Sequence, residues 1–446
     1  MNALTCRPRV LGLAGLLLAG VVAAGQSRPN VVFLLADDLG YADVGCYGAP
    51  DIRTPHLDRL AREGVRLTDF YANGPVCTPT RCGLMTGRYQ QRIGGLEWAI
   101  PPGRKDLGLP ASEKTIAQML REAGYATALS GKWHLGYTGD RAPNAHGFDR
   151  FFGLLSGNHD YFTHRENNGE PDLFLDTKPV VIEGYSTHLI KQHALEFLRE
   201  MRPKPFFLYV AFNAPHWPNQ GPDDAAKEIT AKSWSLGTRE TYVKMVEAMD
   251  ASIGEILAAV DQHGLATNTL VVFTSDNGGD KFSLNKPLAK GKGNLWEGGI
   301  RVPCLARWPG RIPAGAVSKQ VGITMDWSAT ILALAGAKPP KGRPLDGKDL
   351  LPVLTGARRG FKRTLYWRRV GADFRETHRA VRDGNWKFID EPNGRQYLYN
   401  LATDIGEQIN LAESEKVKSA RMRRLLDGWE RQMDPPLYRV SPKPEK

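Results

Sequence analysis

Cysteine is scarce in this chain. There are five in 446 residues: Cys6, Cys46, Cys77, Cys82 and Cys304. That excludes a small scaffold stapled by disulfides. Cys6 falls in a leader-like segment and Cys77 in a motif described below, so Cys46, Cys82 and Cys304 can form at most one bridge. Past the N-terminus no apolar run is long enough to cross a bilayer, so stable membrane insertion is not expected. Internal repeats and long low-complexity linkers are also lacking, which removes solenoids and arrays. Acidic residues are the minority, 48 against 59 Lys and Arg, for a formal net charge of +11. Such a surplus favours acidic partners. No platform of interleaved basic and aromatic residues stands out, so nucleic acid is not expected among them.

The remaining composition is ordinary for a globular protein, with 41% hydrophobic and 24% charged residues. The length suits one large domain with a smaller one. Arg7 and Arg9 precede an apolar run over 10–24 that ends in Val22-Ala23-Ala24-Gly25. This reads as a signal peptide, residues 1–25, cut near Ala24 or Gly25. The expected location is therefore outside the cytosol, periplasmic or secreted.

Several runs read as buried parallel strands: 30–36 (NVVFLLA), 125–130 (YATALS), 205–212 (PFFLYVAF) and 269–275 (TLVVFTS). A further strand is expected over 65–71. Helices are expected over 54–64 with Thr54 as N-cap, over 112–123, 186–199 and 238–263. Met245, Met249, Ile253 and Ile256 fall on one stripe of the last and read as core. From about residue 360 the texture changes to short aromatic strands, 365–367, 380–389 and 396–401, then a helix over 413–433 and a Pro-rich charged tail. The expected fold is α/β. It has a large, mostly parallel central sheet flanked by helices, in domain 26–359, and a small antiparallel sheet with one helix over 360–446.

The strands end in polar groups. Asp37 and Asp38 follow the first, and Lys132 and His134 follow the second in Gly-Lys-Trp-His-Leu-Gly. His216 follows the third in Ala-Pro-His, and Asp276 and Asn277 follow the fourth. Sites in open α/β sheets form at the carboxyl ends of parallel strands, so these groups are expected on one rim. Asp37, Asp38, Asp276 and Asn277 offer only oxygen donors, which suit a hard cation. Between the strands lies Cys77-Thr78-Pro79-Thr80-Arg81, with Thr86-Gly87-Arg88 after it. Pro79 suits a first helical turn, so Cys77 is expected at a helix N-terminus, where free N–H groups favour an anion. Arg81 adds a planar fork of donors that matches a tetrahedral oxyanion. Cys82 and Arg88 form a second, overlapping pattern, C-x5-R, as in thiol-dependent phosphatases, although Arg81 precedes the cysteine and the stretch reads as helix.

The Cys77 motif resembles the signature of the type I sulfatases, a family of the alkaline-phosphatase superfamily. Five blocks match in order between residues 30 and 303, including Lys292 in Gly-Lys-Gly and the Glu-Gly-Gly-x-Arg-Val-Pro stretch after it. The resemblance implies that a maturation enzyme oxidises Cys77 to Cα-formylglycine, whose hydrated aldehyde is the nucleophile. It implies Ca²⁺ held by Asp37, Asp38, Asp276, Asn277 and the group made from Cys77, with Mg²⁺ as the runner-up. It gives Lys132 the task of orienting the diol and sulfate, and His134 the role of base in the second half of the reaction. His216 and Lys292 would hold sulfate and protonate the leaving oxygen. The expected substrate is a sulfated saccharide, which also suits the basic balance. The polar insertion over 157–178 supplies candidates for a saccharide subsite: His159, Asp160, His164 and Arg165. Two other readings are a phosphatase or phosphodiesterase of the same superfamily and a non-catalytic binder of sulfated glycans.

Overall fold

The computed structural model describes residues 28–94, 96–200, 204–224, 229–230, 232–370 and 376–435. The expected signal peptide over 1–25 and most of the C-terminal tail lie outside the described residues.

The first apolar run becomes the strand Asn30–Ala36, buried at every position. Its odd and even residues go to opposite faces. Val31, Phe33 and Leu35 enter one core, and Val32, Leu34 and Ala36 enter another. The strand is central in a ten-stranded sheet. It pairs in parallel with Phe206–Ala211 on one side and Thr269–Ser275 on the other. Ala126–Gly131 and then Arg150–Gly153 continue the parallel order beyond Phe206–Ala211. On the far side Cys304–Arg307 runs antiparallel to Thr269–Ser275 and to Val65–Leu67.

Helices cover both faces. Cys77–Thr86, Ile116–Glu122 and Thr324–Ala335 contribute to the first core. Pro55–Arg62, Ser186–Glu200 and Arg239–Gln262 contribute to the second. Met245, Met249, Ile253 and Ile256 are fully buried there, as the stripe predicted. Among the described residues Cys46, Cys77, Cys82 and Cys304 are all free thiols. No helix among these residues is long and apolar enough to cross a membrane.

The C-terminal part is a four-stranded antiparallel sheet, Thr364–Val370, Thr377–Asp383, Trp386–Asp390 and Gln396–Asn400, in that order. The helix Lys416–Glu430 packs on it through Met422, Leu426 and Trp429. A buried ion cluster joins this sheet to the rest. Lys387 lies 2.9 Å from both Glu297 and Glu407, and all three side chains are fully buried.

Some local expectations are corrected. The run over 65–71 is two short strands, Val65–Leu67 and Phe70–Tyr71, in different sheets. It breaks at Thr68-Asp69, where Asp69 accepts from Arg382. The run over 380–389 is two strands joined by a turn at Gly384-Asn385. Thr54 does not cap its helix. The Asp250 carboxylate accepts from the N–H groups of His56 and Leu57 instead. The second helix starts at Ile116 rather than near 112, because Thr115 and Gln118 form a reciprocal capping box.

Candidate active site

Each strand end delivers its residues by a backbone device. After Asn30–Ala36 the chain turns sharply, and Asp38 takes a left-handed backbone, φ 63°. Its N–H donates to Asp276 Oδ1 at 3.3 Å, which ties the first strand end to the fourth. After Ala126–Gly131, Gly131 itself has φ 120°, and a Cβ there would sit 1.9 Å from the Ala211 carbonyl oxygen. That close approach lets the Lys132 N–H reach Ala211 O at 2.7 Å and swings the lysine inward. His134 also adopts a left-handed backbone, φ 54°.

Cys77 is the first residue of its helix, with Val76 extended before it. Its thiol is 1% exposed and donates to Asp37 Oδ1 at 3.4 Å. Burial first, then the neighbouring Asp37 carboxylate, pushes the thiol well above its ordinary range. Lys132 Nζ donates to the other Asp37 oxygen at 2.5 Å. Lys292 Nζ donates to Asp38 Oδ2 at 2.5 Å and lies 3.0 Å from His216 Nε2. One ligating atom from each of Asp37, Asp38, Cys77 and His216 lies within 4.8 Å of the others, all buried.

Arg81 does not point its fork at an open space. Nε and Nη2 both donate to Asp276 Oδ2, at 3.0 and 2.8 Å, and Nη1 donates to the Lys132 carbonyl at 3.0 Å. The fork that the sequence offered to an oxyanion is engaged here by Asp276 and the Lys132 carbonyl. Arg81 is a buried brace for Asp276 and for the Lys132 backbone. Burial works against ionisation of Asp276, yet Arg81 and Lys132 hold it below the ordinary carboxylate range.

The two histidines have defined tautomers. His216 Nδ1 is 2.6 Å from its neighbour's carbonyl, Trp217 O, which only accepts, so Nδ1 carries the proton and Nε2 is the acceptor facing Lys292. His134 Nε2 lies 3.1 Å from Ile100 O and is likewise the protonated nitrogen. That leaves His134 Nδ1 as a bare lone pair, buried and without a hydrogen-bond partner. Burial, reinforced by Lys132, keeps the His134 ring neutral well below its usual range. Burial and Lys292 do the same for His216.

A metal ion is tested by the donors. Asp37, Asp38 and Asp276 are buried carboxylates, and the Asn277 side-chain oxygen is buried with no hydrogen-bond partner while its Nδ2 donates to Asp38 Oδ1 at 2.7 Å. An unsatisfied buried carbonyl beside three carboxylates is costly without a cation, so the set fits a hard divalent ion. His216 adds a nitrogen to the group, but its Nε2 is engaged by the Lys292 ammonium.

The structure thus brings Asp37, Asp38, Cys77, Arg81, Lys132, His216, Asp276, Asn277 and Lys292 into one cluster through these contacts. Thr78 joins His134 to it, donating its hydroxyl to the His134 carbonyl at 3.0 Å. The residues of the insertion behave differently. His159 is fully enclosed, with Nδ1 on Asp172 O at 2.9 Å and Nε2 on Ser186 Oγ at 2.8 Å. His164 faces Gly184 O at 3.1 Å. Asp160 accepts from the Phe162 and Thr163 N–H groups and from Gln220. These three hold the insertion together instead of facing outward. Arg165 is exposed and donates to Gly169 O in its own loop.

Cys82 is buried in the first core, where desolvation raises its thiol far above the ordinary value. The C-x5-R pattern is therefore a coincidence of spacing. Three contributors went unread in the sequence. Thr78 accepts from the Ile100 N–H as well as holding His134. Ile100 fixes the imidazole through its carbonyl, a backbone contact that leaves no trace in residue type. Gly157 leaves room for the ring: a Cβ there would lie 2.7 Å from His134 Cε1.

Comparison with known proteins agrees with this geometry. The family model described as Sulfatase matches residues 29–337, and one described as N-sulphoglucosamine sulphohydrolase, C-terminal, matches 291–431. The chain is 39% identical over 379 residues to N-acetylgalactosamine-6-sulfatase of Rattus norvegicus, covering 78% of this chain and 70% of that one. It is 35% identical over 455 residues to human arylsulfatase A, covering 91% and 86%. Among solved structures it resembles Ps i-CgsB in complex with k-i-k-neocarrahexaose, with a TM-score of 0.82 and 35% identity over 90% of this chain and 93% of that one.

Proposed function

The chain belongs to the sulfatase family of the alkaline-phosphatase superfamily and is a sulfuric ester hydrolase; on that premise we propose that it removes sulfate from a sulfated saccharide by way of a formylglycine made from Cys77, with calcium bound beside it. One observation carries this reading. The buried cluster of Asp37, Cys77, Lys132, Lys292 and His216 sits at the N-terminus of the Cys77–Thr86 helix, inside the stretch matched by the sulfatase model. The saccharide is supported by the oligosaccharide bound to Ps i-CgsB and by the amino-sugar named for the rat relative.

Formylglycine supplies a hydrated aldehyde, whose one hydroxyl can attack sulfur and whose other can later give up a proton. Calcium supplies a charge that draws the sulfate oxygens and favours the nucleophile's ionised form. Asp37, Asp38, Asp276 and the Asn277 side-chain oxygen would hold it. Magnesium is the less suitable ion, because it demands tight octahedral geometry and keeps its waters.

The chain's own groups do the remaining work. Free N–H groups at the helix start and the ammonium groups of Lys132 and Lys292 face the sulfate and follow its charge as it shifts toward the leaving oxygen. Arg81 keeps Asp276 and the Lys132 backbone in place. Lys292 and His216, 3.0 Å apart, form a relay that can deliver a proton to the ester oxygen as it departs. His134 Nδ1, already unprotonated and without a partner, takes a proton in the second half of the reaction. Release of the sugar and release of sulfate thus use different bases and acids.

The test is a mass spectrum of the tryptic peptide holding Cys77, from protein made in a host with the maturation enzyme, run beside an assay of sulfate release from sulfated saccharides. An aldehyde in the peptide together with sulfate release is expected. Full activity with an intact thiol, or in Cys77→Ser, would overturn the formylglycine reading.

A further inference from the structure

The positive charge of this chain is not spread evenly. Residues 338–363 carry eight Lys and Arg against two Asp, and the helix Lys416–Glu430 carries five against two, a joint surplus of nine where the whole chain has +11. These segments are far apart in sequence, yet both line one groove of about 630 Å³. Lys348, Lys362 and Arg363 come from the first, and Arg424, Gly428 and Trp429 from the second.

Internal pairing removes the acids from this surface. Asp346 is held by Arg92 at 3.0 Å, and Asp383 by Arg421 at 2.5 Å. Arg363 is itself spent on the buried Asp326 at 2.5 Å. Lys348, Lys362 and Arg424 are exposed and form no ion pair with any described residue. Beside them are aromatic rings. Tyr366 lies parallel on Trp429, centroids 5.3 Å apart and planes at 4°, and Tyr89 meets the same indole edge-on. Trp429 and Tyr89 are buried in the core and form the floor of the groove, with Tyr366 half-buried over them, so the exposed cations are the groups that face an anionic polysaccharide.

The groove is remote from the chemistry. Gly87 O, at the end of the Cys77–Thr86 helix, accepts from the N–H groups of Asp346 and Gly347 at 3.0 and 3.1 Å. That helix has ten residues, so the groove lies about 15 Å from Cys77 along its axis. A small sulfate ester bound at Cys77, at the other end of that helix, does not reach the groove.

We propose that this groove is a separate docking site for the sulfated polysaccharide on which the enzyme acts, holding the polymer while its sulfate groups are presented to the pocket. The identity of the polymer rests on the saccharide reading above; the groove's charge and shape do not.

The test uses the triple variant Lys348→Ser/Lys362→Ser/Arg424→Ser of the full-length mature enzyme, with heparin as the probe polysaccharide. All three side chains are exposed, so the fold is expected to be kept, and an unchanged melting temperature checks it. Heparin affinity at low salt is expected to fall about tenfold, the sum of three weak exposed contacts. Turnover of para-nitrophenyl sulfate is expected to stay within twofold. Unchanged heparin affinity overturns the proposal. An equal loss for polyglutamate overturns it too, because the groove then reads charge alone. Heparin binding is scored without turnover, so a failure of sulfate hydrolysis and a failure of the groove are separate results.

Discussion

Gly157→Ala gives a sharp test of how His134 is held. The ring is fixed by one hydrogen bond, Nε2 to Ile100 O at 3.1 Å, and by the space over Gly157. An alanine Cβ would sit 2.7 Å from Cε1 and 2.9 Å from Nε2, where ordinary contact starts near 3.4 Å. The ring must therefore move by about 0.7 Å, and the backbone of His134, already left-handed, offers little give. The bond to Ile100 then stretches to about 3.8 Å, past hydrogen-bond range. Nδ1 loses both its tautomer and its aim. A misplacement near 1 Å costs about 10²-fold in rate, or about 2.7 kcal/mol on the barrier. With para-nitrophenyl sulfate, kcat is expected to fall by about that factor while KM changes by no more than a few-fold. Formylglycine content and melting temperature should match the parent enzyme. Gly157→Ala should also add little to His134→Ala, since both act on one group. A kcat within twofold of the parent, or a further large loss in the double variant, would refute the argument.

Three more outcomes are expected. Removing divalent ions with a chelator should abolish activity, and calcium should restore it and raise thermal stability, by about 2.7 kcal/mol at a hundredfold excess over its Kd; Asp38→Asn should lose that stabilisation. Lys387→Met leaves Glu407 beside Glu297 without a cation of its own, while Glu297 keeps Arg301 at 3.1 Å, so urea unfolding should report a loss of about 3 kcal/mol. Adding Glu407→Gln to that variant should recover part of the loss. His146 is buried against Trp133, and burial lowers its pKa to about 4 from an ordinary 6.5. The folded state therefore disfavours the charged ring: the contribution to stability is complete above pH 6.5 and is lost as pH falls through 4, about 3 kcal/mol in all. His146→Phe should flatten the stability–pH curve between pH 6.5 and 4, and an unchanged acid limb would remove His146 as its cause.

The sheet was readable because its central strands are buried on both faces, which forces unbroken apolar runs. The strands Val65–Leu67 and Cys304–Arg307, on the far side of Thr269–Ser275, carry only three and four residues, too few to show a period. The site residues were readable as types at strand ends, but their orientation was not. Arg81 looks the same in sequence whether its fork meets an anion or Asp276. His159 and His164 looked like surface groups because polar loop residues usually are. In the fold, the carbonyls of Asp172 and Gly184 accept them, and such backbone partners have no residue code. Gly157 was invisible for a related reason: what matters there is an atom the residue does not have.

The burial of Cys77 also sets a clock. In the finished protein its sulfur is 1% exposed, behind Asp37 at the end of the central strand. No second enzyme can close on it there. The strand Asn30–Ala36 is not sheathed until Thr269–Ser275 has been made, since that segment is one of its two neighbours. At about 5–20 residues per second, the roughly 200 residues between Cys77 and that strand take about 10–40 s to synthesise. The oxidation proposed for Cys77 has to happen within that interval or soon after it, on a chain still open. A molecule that folds with its thiol intact has missed the chance, and the fraction of active enzyme in a preparation becomes a record of that race.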